Sequence, residues 1–229
     1  MSFTYNYYSK LLKTLLDTHV PVTYPKMHSI RKKKFIIRHD IDYGLEFVGV
    51  MPEIESELGI ISTYFIQTSS IFYNPFSPPQ LKQVERLKKL GHRFGLHSDS
   101  TSNVRPEHIN DFIERELRLL GEICGRLDAI SFHHPPKYIV NNDIKIKYIN
   151  TYDMKDMSGF TYMSDSAGKW SKGNPIRMIR NNTETSFQIL IHPFLWNKRN
   201  FSFKSLALKS IDEKGREMRN YLAQHCKDF

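Results

Sequence analysis

The chain has 229 residues, 40% hydrophobic and 25% charged, proportions that suit one globular domain with a real core. Its net charge of +9 suggests an anionic partner, but the basic residues are dispersed, the one tight cluster (Arg31-Lys32-Lys33-Lys34) precedes a strand, and the lack of an aromatic–basic ladder speaks against nucleic acid. Cys124 and Cys226 have no CxxC spacing, the N-terminus has no signal-peptide layout and no apolar stretch is long enough to cross a bilayer, so a reducing cytoplasm is the expected setting.

Leu11, Leu12, Leu15 and Leu16 predict a short helix over 7–18, after which Pro21 and Pro25 break the chain. Residues 34–39 read as a first strand, buried on both faces, that runs into Arg38-His39-Asp40-Ile41-Asp42. The apolar positions from Leu45 to Leu58 predict a helix ended by Gly59 and kinked or split at Pro52. A second strand follows over 60–67. Ser77-Pro78-Pro79 opens a helix with Leu81, Val84, Leu87 and Leu90 on one face, stopped by Gly91. Residues 93–96 form a short strand delivering His97-Ser98-Asp99-Ser100. Pro106 starts what should be the longest helix, with Ile109, Phe112, Ile113, Leu117, Leu120, Ile123 and Cys124 inward.

A fourth strand over 128–132 delivers His133-His134-Pro135-Pro136, and 141–153 reads as a weak helix and then a strand near Tyr148 to Tyr152. Residues 160–163 are a strand feeding Ser164-Asp165-Ser166, and Gly173-Asn174-Pro175 marks a loop. A last strand over 187–191 delivers His192-Pro193 before a terminal helix over 203–224.

Strand followed by helix, about six times over, argues for a parallel sheet with outer helices, whose sites lie beyond the C-terminal strand ends. His39, Asp40, Asp42, His97, Asp99, His133, His134, Asp165 and His192 all fall at such ends. A catalytic zinc-type site wants about three protein ligands and one open position. Asp42, His97 and one of His133 or Asp99 would supply them. Asp40 is then placed to take a proton from water and His192 to protonate a leaving amine, a set suited to amide or ester hydrolysis.

Blander readings stand beside these. His92 reads as a surface or capping histidine, and His39 as a residue that orients its neighbours or packs beneath the site. His133 and His134, adjacent on an extended segment, should point to opposite faces. Asp165 could cap a turn with Ser164 and Ser166. Trp170 and Trp196 belong either to the core or to the wall of a sugar pocket.

Taken together, the segments resemble the polysaccharide deacetylase family, the NodB-homology carbohydrate esterase 4 group, in a divergent form found in O-antigen and capsule gene clusters. The resemblance runs from about Phe35 to about Trp196. Arg38-His39-Asp40-Ile41-Asp42 is similar to the first motif, which implies Asp40 as base and Asp42 as metal ligand. Leu90 through Ser98 resembles the second and implies His97 as a ligand, although Thr101 stands where the family usually has another histidine.

Ser131-Phe132-His133-His134-Pro135-Pro136 resembles the third motif with His134 in place of an arginine, and His133 is the substitute expected for the missing ligand. Tyr162-Met163-Ser164-Asp165-Ser166 through Trp170 is similar to the fourth, which braces the base and lines the pocket. Leu190-Ile191-His192-Pro193 is similar to the last, carrying the acid histidine. The resemblance implies a distorted (β/α)7 barrel and a divalent metal, zinc first and Co2+, Ni2+ or Fe2+ as alternatives. It also implies removal of an N-acetyl group from a sugar or glycan precursor. Core residues 34–200 would carry this chemistry, with the terminal helices packed on them. The departures leave two other expectations, a catalytically silent glycan- or partner-binding relative and a C–N hydrolase of non-sugar amides.

Overall fold

The computed structural model describes residues 2–29, 32–99 and 104–226. Thr101 and Ser100 lie outside them, as does Arg31. Helix α1 spans Tyr5–Leu16 and strand β1 is only Val20–Pro21. The first strand expected from sequence is β2, Lys34–Ile41. The predicted helix at Pro52 is split rather than kinked. A 3-10 turn, Leu45–Val48, ends at Gly49, and α2 restarts at Met51–Glu57 with Pro52 in its first turn, where no backbone N–H is needed. Strand β3 is Thr63–Ile66, α3 Pro78–Lys89, β4 Arg93–Ser98, α4 Ile109–Cys124 and β5 Leu127–Phe132.

The ambiguous stretch holds one short helix, α5, Lys137–Val140, and instead of a strand a single parallel bridge between Ile130 and Asn150. After β6, Phe160–Ser164, the expected loop at Pro175 is α6, Pro175–Asn181, because the Asn174 side chain accepts from the Arg177 N–H and caps it. Strand β7 is Ser186–Ile191 and α7 is Phe203–His225. At 23 residues α7 exceeds the 16-residue α4, which the sequence pattern ranks longest. Among the described residues no helix is long and apolar enough to cross a membrane.

The strands run in the order β5-β4-β3-β2-β7-β6, every pair parallel, with β1 beside the start of β2. The expected parallel α/β architecture is present, and the distortion of its barrel is that the sheet does not close. Strands β5 and β6 are the two ends of the path. Even so the sheet is strongly curled. Arg38 on β2 donates to Ser131 on β5, three strands away. In a flat sheet that separation is roughly 14 Å, beyond the reach of one side chain, so the ends must fold over a shared interior.

The alternation of β2 fixes which side chains enter that interior. Ile36, Arg38 and Asp40 point inward, while Phe35, Ile37 and His39 face outward toward the helices. Outside, Tyr8, Leu11, Leu12 and Leu15 of α1 pack on Phe35, Ile37, Phe187 and Ile189. Ile109, Ile113 and Leu120 of α4 pack on Phe94, Leu96 and Ile130. Inside, Phe65 fills the space between Tyr24, Ile36 and Ala129. It can do so because β4 carries Gly95 there, where a Cβ would sit 2.5 Å from the Phe65 ring.

The outward polar residue of β2 has its own network. His39 Nε2 lies 2.5 Å from Glu55 Oε1, and Glu55 also accepts from the hydroxyls of Tyr8 and Tyr64, the latter at 2.8 Å. Glu55 is fully buried. His92 is buried too. Its Nδ1 accepts from the Ser62 N–H at 3.3 Å and its Nε2 lies 3.0 Å from the Pro52 carbonyl, so it ties α2 to β3 instead of standing on the surface. Burial alone would raise the Glu55 carboxyl, but the His39 and His92 imidazoles outweigh it and hold it below the usual carboxylate range. Burial pushes the His92 imidazole down.

Truncating Glu55 to Ala strands the two buried hydroxyls and one imidazole, so an unfolding-free-energy loss of about 3–5 kcal/mol is expected in urea denaturation. Unfolded His92 takes up a proton near 6.5 and unfolded Glu55 near 4.5, each before the folded group does. Thermal stability should therefore fall as pH drops below about 6.5 and further below about 4.5. A melting temperature unchanged between roughly pH 7 and pH 4 would contradict this.

Candidate metal centre

Three elements end at the same mouth of the curled sheet. Asp40 and Asp42, two residues apart at the end of β2, share its inner face. His97 is the penultimate residue of β4, and His133 follows β5 directly. Asp42, His97 and His133 each offer a ligand atom, and the three lie within 4.8 Å of one another. Asp42 Oδ1 is 3.2 Å from His97 Nε2 and 3.4 Å from His133 Nδ1. It is buried yet accepts no hydrogen bond. Ligands bound at roughly 2.0–2.1 Å in tetrahedral array stand about 3.4 Å apart, so an orphaned carboxylate oxygen facing two imidazole nitrogens fits a divalent cation.

His97 is oriented through its other nitrogen. Nδ1 lies 2.8 Å from Ser131 Oγ, which leaves Nε2 toward Asp42. Asp99 is the alternative third ligand by sequence. It sits 4.0 Å beyond His133 Nε2, on the far side of that imidazole from Asp42 Oδ1, and outside the close triad.

Asp40 and His192 flank the triad. Asp40 Oδ2 is 3.5 Å from His97 Nε2. Both of its oxygens are held by Arg38, Nε to Oδ1 and Nη2 to Oδ2, each at 2.7 Å. Arg38 is completed by Thr151 at 2.9 Å and by Ser131. Burial alone would raise the Asp40 carboxyl; Arg38 and His97 outweigh it and keep it below its ordinary value. Asp42 is likewise held well down, burial being outweighed by the facing His133 and His97 imidazoles. The same contact raises the His133 imidazole.

His192 Nε2 reaches to 3.7 Å from Asp42 Oδ2. Its Nδ1 is 2.7 Å from Asp165 Oδ1, and burial, which would lower it, is overcome by that carboxylate, so the imidazole is pushed up to about 9. Asp165 is fully buried and also accepts from the His192 N–H and from Trp196 Nε1 at 2.7 Å. It is neither a pocket wall nor a turn cap. Its side chain aims His192.

Two further expectations are corrected. Trp170 and Trp196 are core residues, 6% and 1% exposed, packed edge to face with each other and against α1. The Asp165 bond and the α1 aromatics turn Trp196 inward. His134 does not point away from His133. Its φ of 49° leaves the extended conformation, the two rings sit 4.2 Å apart, and both line the cleft.

The cleft over the triad encloses about 400 Å³ and is walled by Tyr43, Tyr152, Tyr162, Phe194 and Phe203. It opens sideways into a second lobe of about 340 Å³ toward Ile71, Phe72 and Asp99. Tyr43 stacks on Phe194 at 4.0 Å and meets Phe72 at 4.5 Å. Another cavity of about 390 Å³ lies by Pro21, Lys26, Gly59 and Gly91, at the opposite end of the sheet, and contains no carboxylate or imidazole. Arg38, Ser131 and Tyr43 had no assigned role by sequence. The signal for Arg38 was its i, i+2 relation to Asp40 on one strand face.

No protein family profile and no curated protein matches the chain. Among solved structures it is similar to a mutant, with restored activity, of a CE4 family pseudoenzyme (13% identity, TM-score 0.49, covering 82% of this chain and 64% of the other). The wild-type pseudoenzyme from Bacillus anthracis gives 14% identity and a TM-score of 0.47, over 82% and 62%. The peptidoglycan deacetylase PdaC from Bacillus subtilis gives 15% identity and 0.47, over 85% and 98%. The chain thus spans less than two thirds of the length of the pseudoenzyme.

If the triad holds a cation, cobalt titration followed by absorbance should give about one site per chain. His133→Ala should abolish it, Asp99→Ala should leave it, and Ser131→Ala should weaken it roughly 10- to 100-fold. Loss with Asp99→Ala and not with His133→Ala would reverse the ligand assignment.

Proposed function

We propose that this protein is a metal-dependent hydrolase that removes an acyl group from an N-acylated carbohydrate, such as an N-acetylated precursor of a cell-surface polysaccharide, in the cytoplasm. The observation that carries the reading is the convergence of Asp42, His97 and His133 on one point, with an ionised carboxylate and a protonated imidazole on its flanks. A divalent cation there, zinc by the donor set, supplies Lewis acidity toward water and an acyl carbonyl when bound.

The chain's own groups do the rest. Asp40, kept ionised by Arg38, accepts the proton of the attacking water. His192, kept protonated by Asp165, gives its Nε2 proton to the amine nitrogen as the C–N bond breaks. The products are a free amine and a carboxylate. The aromatic walls at Tyr43, Phe194 and Tyr152 suit the flat apolar faces of a sugar ring, and the polar floor suits its hydroxyls.

One observation favours a second reading, glycan binding without hydrolysis. Both oxygens of Asp40 are engaged by Arg38, which weakens the carboxylate as a base.

The test is acetate release from N-acetylglucosamine oligomers and from nucleotide-linked N-acetyl sugars, with zinc, cobalt or nickel supplied. Asp40→Asn and His192→Ala should each lower the rate roughly 10²- to 10⁴-fold while metal content stays at that of the native chain. Sugar binding without acetate release under every metal would replace hydrolysis with the binding reading. Loss of metal from His192→Ala would remove that residue's assignment as the acid.

A further inference from the structure

Helix α7 carries two faces, and the fold uses one of them. Leu206, Ala207, Ser210, Glu213 and Lys214 turn toward the body, and Lys214 pairs with Glu46 at 3.6 Å. On the other side a stripe runs through Leu208, Ile211, Gly215, Met218 and Leu222, a spacing of three and four that keeps one helical face. Leu208, Ile211, Met218 and Leu222 are 52%, 59%, 68% and 36% exposed. Asp212 and Arg219 border the stripe along its other edge, both exposed, and neither forms an ion pair among the described residues.

The pattern is nearly symmetric about Gly215, to within half a residue. Leu208 and Leu222 lie seven positions to either side. Ile211 and Met218 lie four before and three after, and Asp212 and Arg219 lie three before and four after. A two-fold axis through the glycine, perpendicular to an antiparallel helix pair, maps each edge of the stripe onto the same edge of the partner. It sets Leu208 on Leu222 of the second helix, Ile211 on Met218 and Asp212 opposite Arg219, whose guanidinium lies beside Gly215 at the axis.

We infer that α7 is a self-association surface whose occupant is the α7 of a second copy, packed antiparallel. The charge pattern argues for a copy of this chain, because Asp212 and Arg219 each meet the opposite charge on the same edge of their own two-fold image. The interface is isologous. Its apolar part is four side chains on each helix, so dissociation in roughly the micromolar range is expected. This inference does not depend on the function proposed above.

Analytical ultracentrifugation of the full chain across concentrations tests it. A concentration-dependent species of twice 27.0 kDa is expected. Ile211→Glu and Met218→Glu lie on exposed helix and should leave the fold intact by circular dichroism while weakening dimerisation roughly tenfold or more. Asp212→Arg alone and Arg219→Asp alone should each weaken it, and the double exchange should restore it. A monomer at every concentration, or a dimer indifferent to Ile211→Glu, overturns the inference. So does a double exchange that fails to restore association, since that pairing is what makes the helices antiparallel.

Discussion

The buried guanidinium of Arg38 is the constraint around which the interior is built. A cation with 1% exposure survives only if its donors are satisfied, since removing it from water costs several kcal/mol. Here every partner comes from a different part of the curl. Asp40 lies on the same strand, Ser131 on β5, and Thr151 on the crossing segment beyond it. The Phe65 and Tyr152 rings lie within 5.3 and 5.5 Å of its central carbon. The guanidinium therefore does for this open sheet part of what hydrogen bonding does for a closed barrel. It pulls β5 toward β2 across the interior, where the two strands share no backbone pairing of their own. Ser131 then relays that position to His97, so one side chain fixes both the flanking carboxylate and a member of the triad.

Strand β2 carries a second polar group on its other face, and the two solutions differ. Arg38 and Asp40 neutralise each other at the mouth, while His39 is answered from α2 by Glu55, with Tyr8 and Tyr64 completing the carboxylate. Each network lies on its own side of the sheet. Such buried networks favour a single arrangement, because a one-residue slip of β2 would expose the charge of each to the other's apolar surroundings.

Much of this was legible locally. Apolar runs ending in Asp42, His97, His133 and His192 marked the mouth, since parallel strands put such ends on one side. What local pattern does not encode is which distant atom completes a buried group. Asp165 read as a turn cap because its neighbours are serines; its partners, His192 and Trp196, come from a strand end and turn 27 and 31 positions later. Trp196 read as a possible pocket wall until Phe3 and, from α1, Tyr8 supplied the aromatics that enclose it. His134 escaped the alternation rule through a left-handed φ that its own identity does not demand. The terminal helix pattern gave its existence but not how little of it the body would cover.

The unpaired ends of the sheet carry a further consequence. Between Phe132 and Phe160 the chain passes the mouth, held to β5 by the Ile130–Asn150 bridge and by the Tyr152 hydroxyl on the Phe132 carbonyl, to β2 by Thr151 on Arg38, and to the core by Ile139 and Ile146. Inserting or deleting residues on either side of those anchors shifts no strand against another. Its entropic charge grows only logarithmically, about 0.6 kcal/mol per doubling of loop length. The rim facing Tyr152 and Tyr162 can therefore be remodelled in length while the floor that holds Asp42, His97 and His133 keeps its spacing. The length of the rim and the fidelity of folding are, in this architecture, separately adjustable quantities.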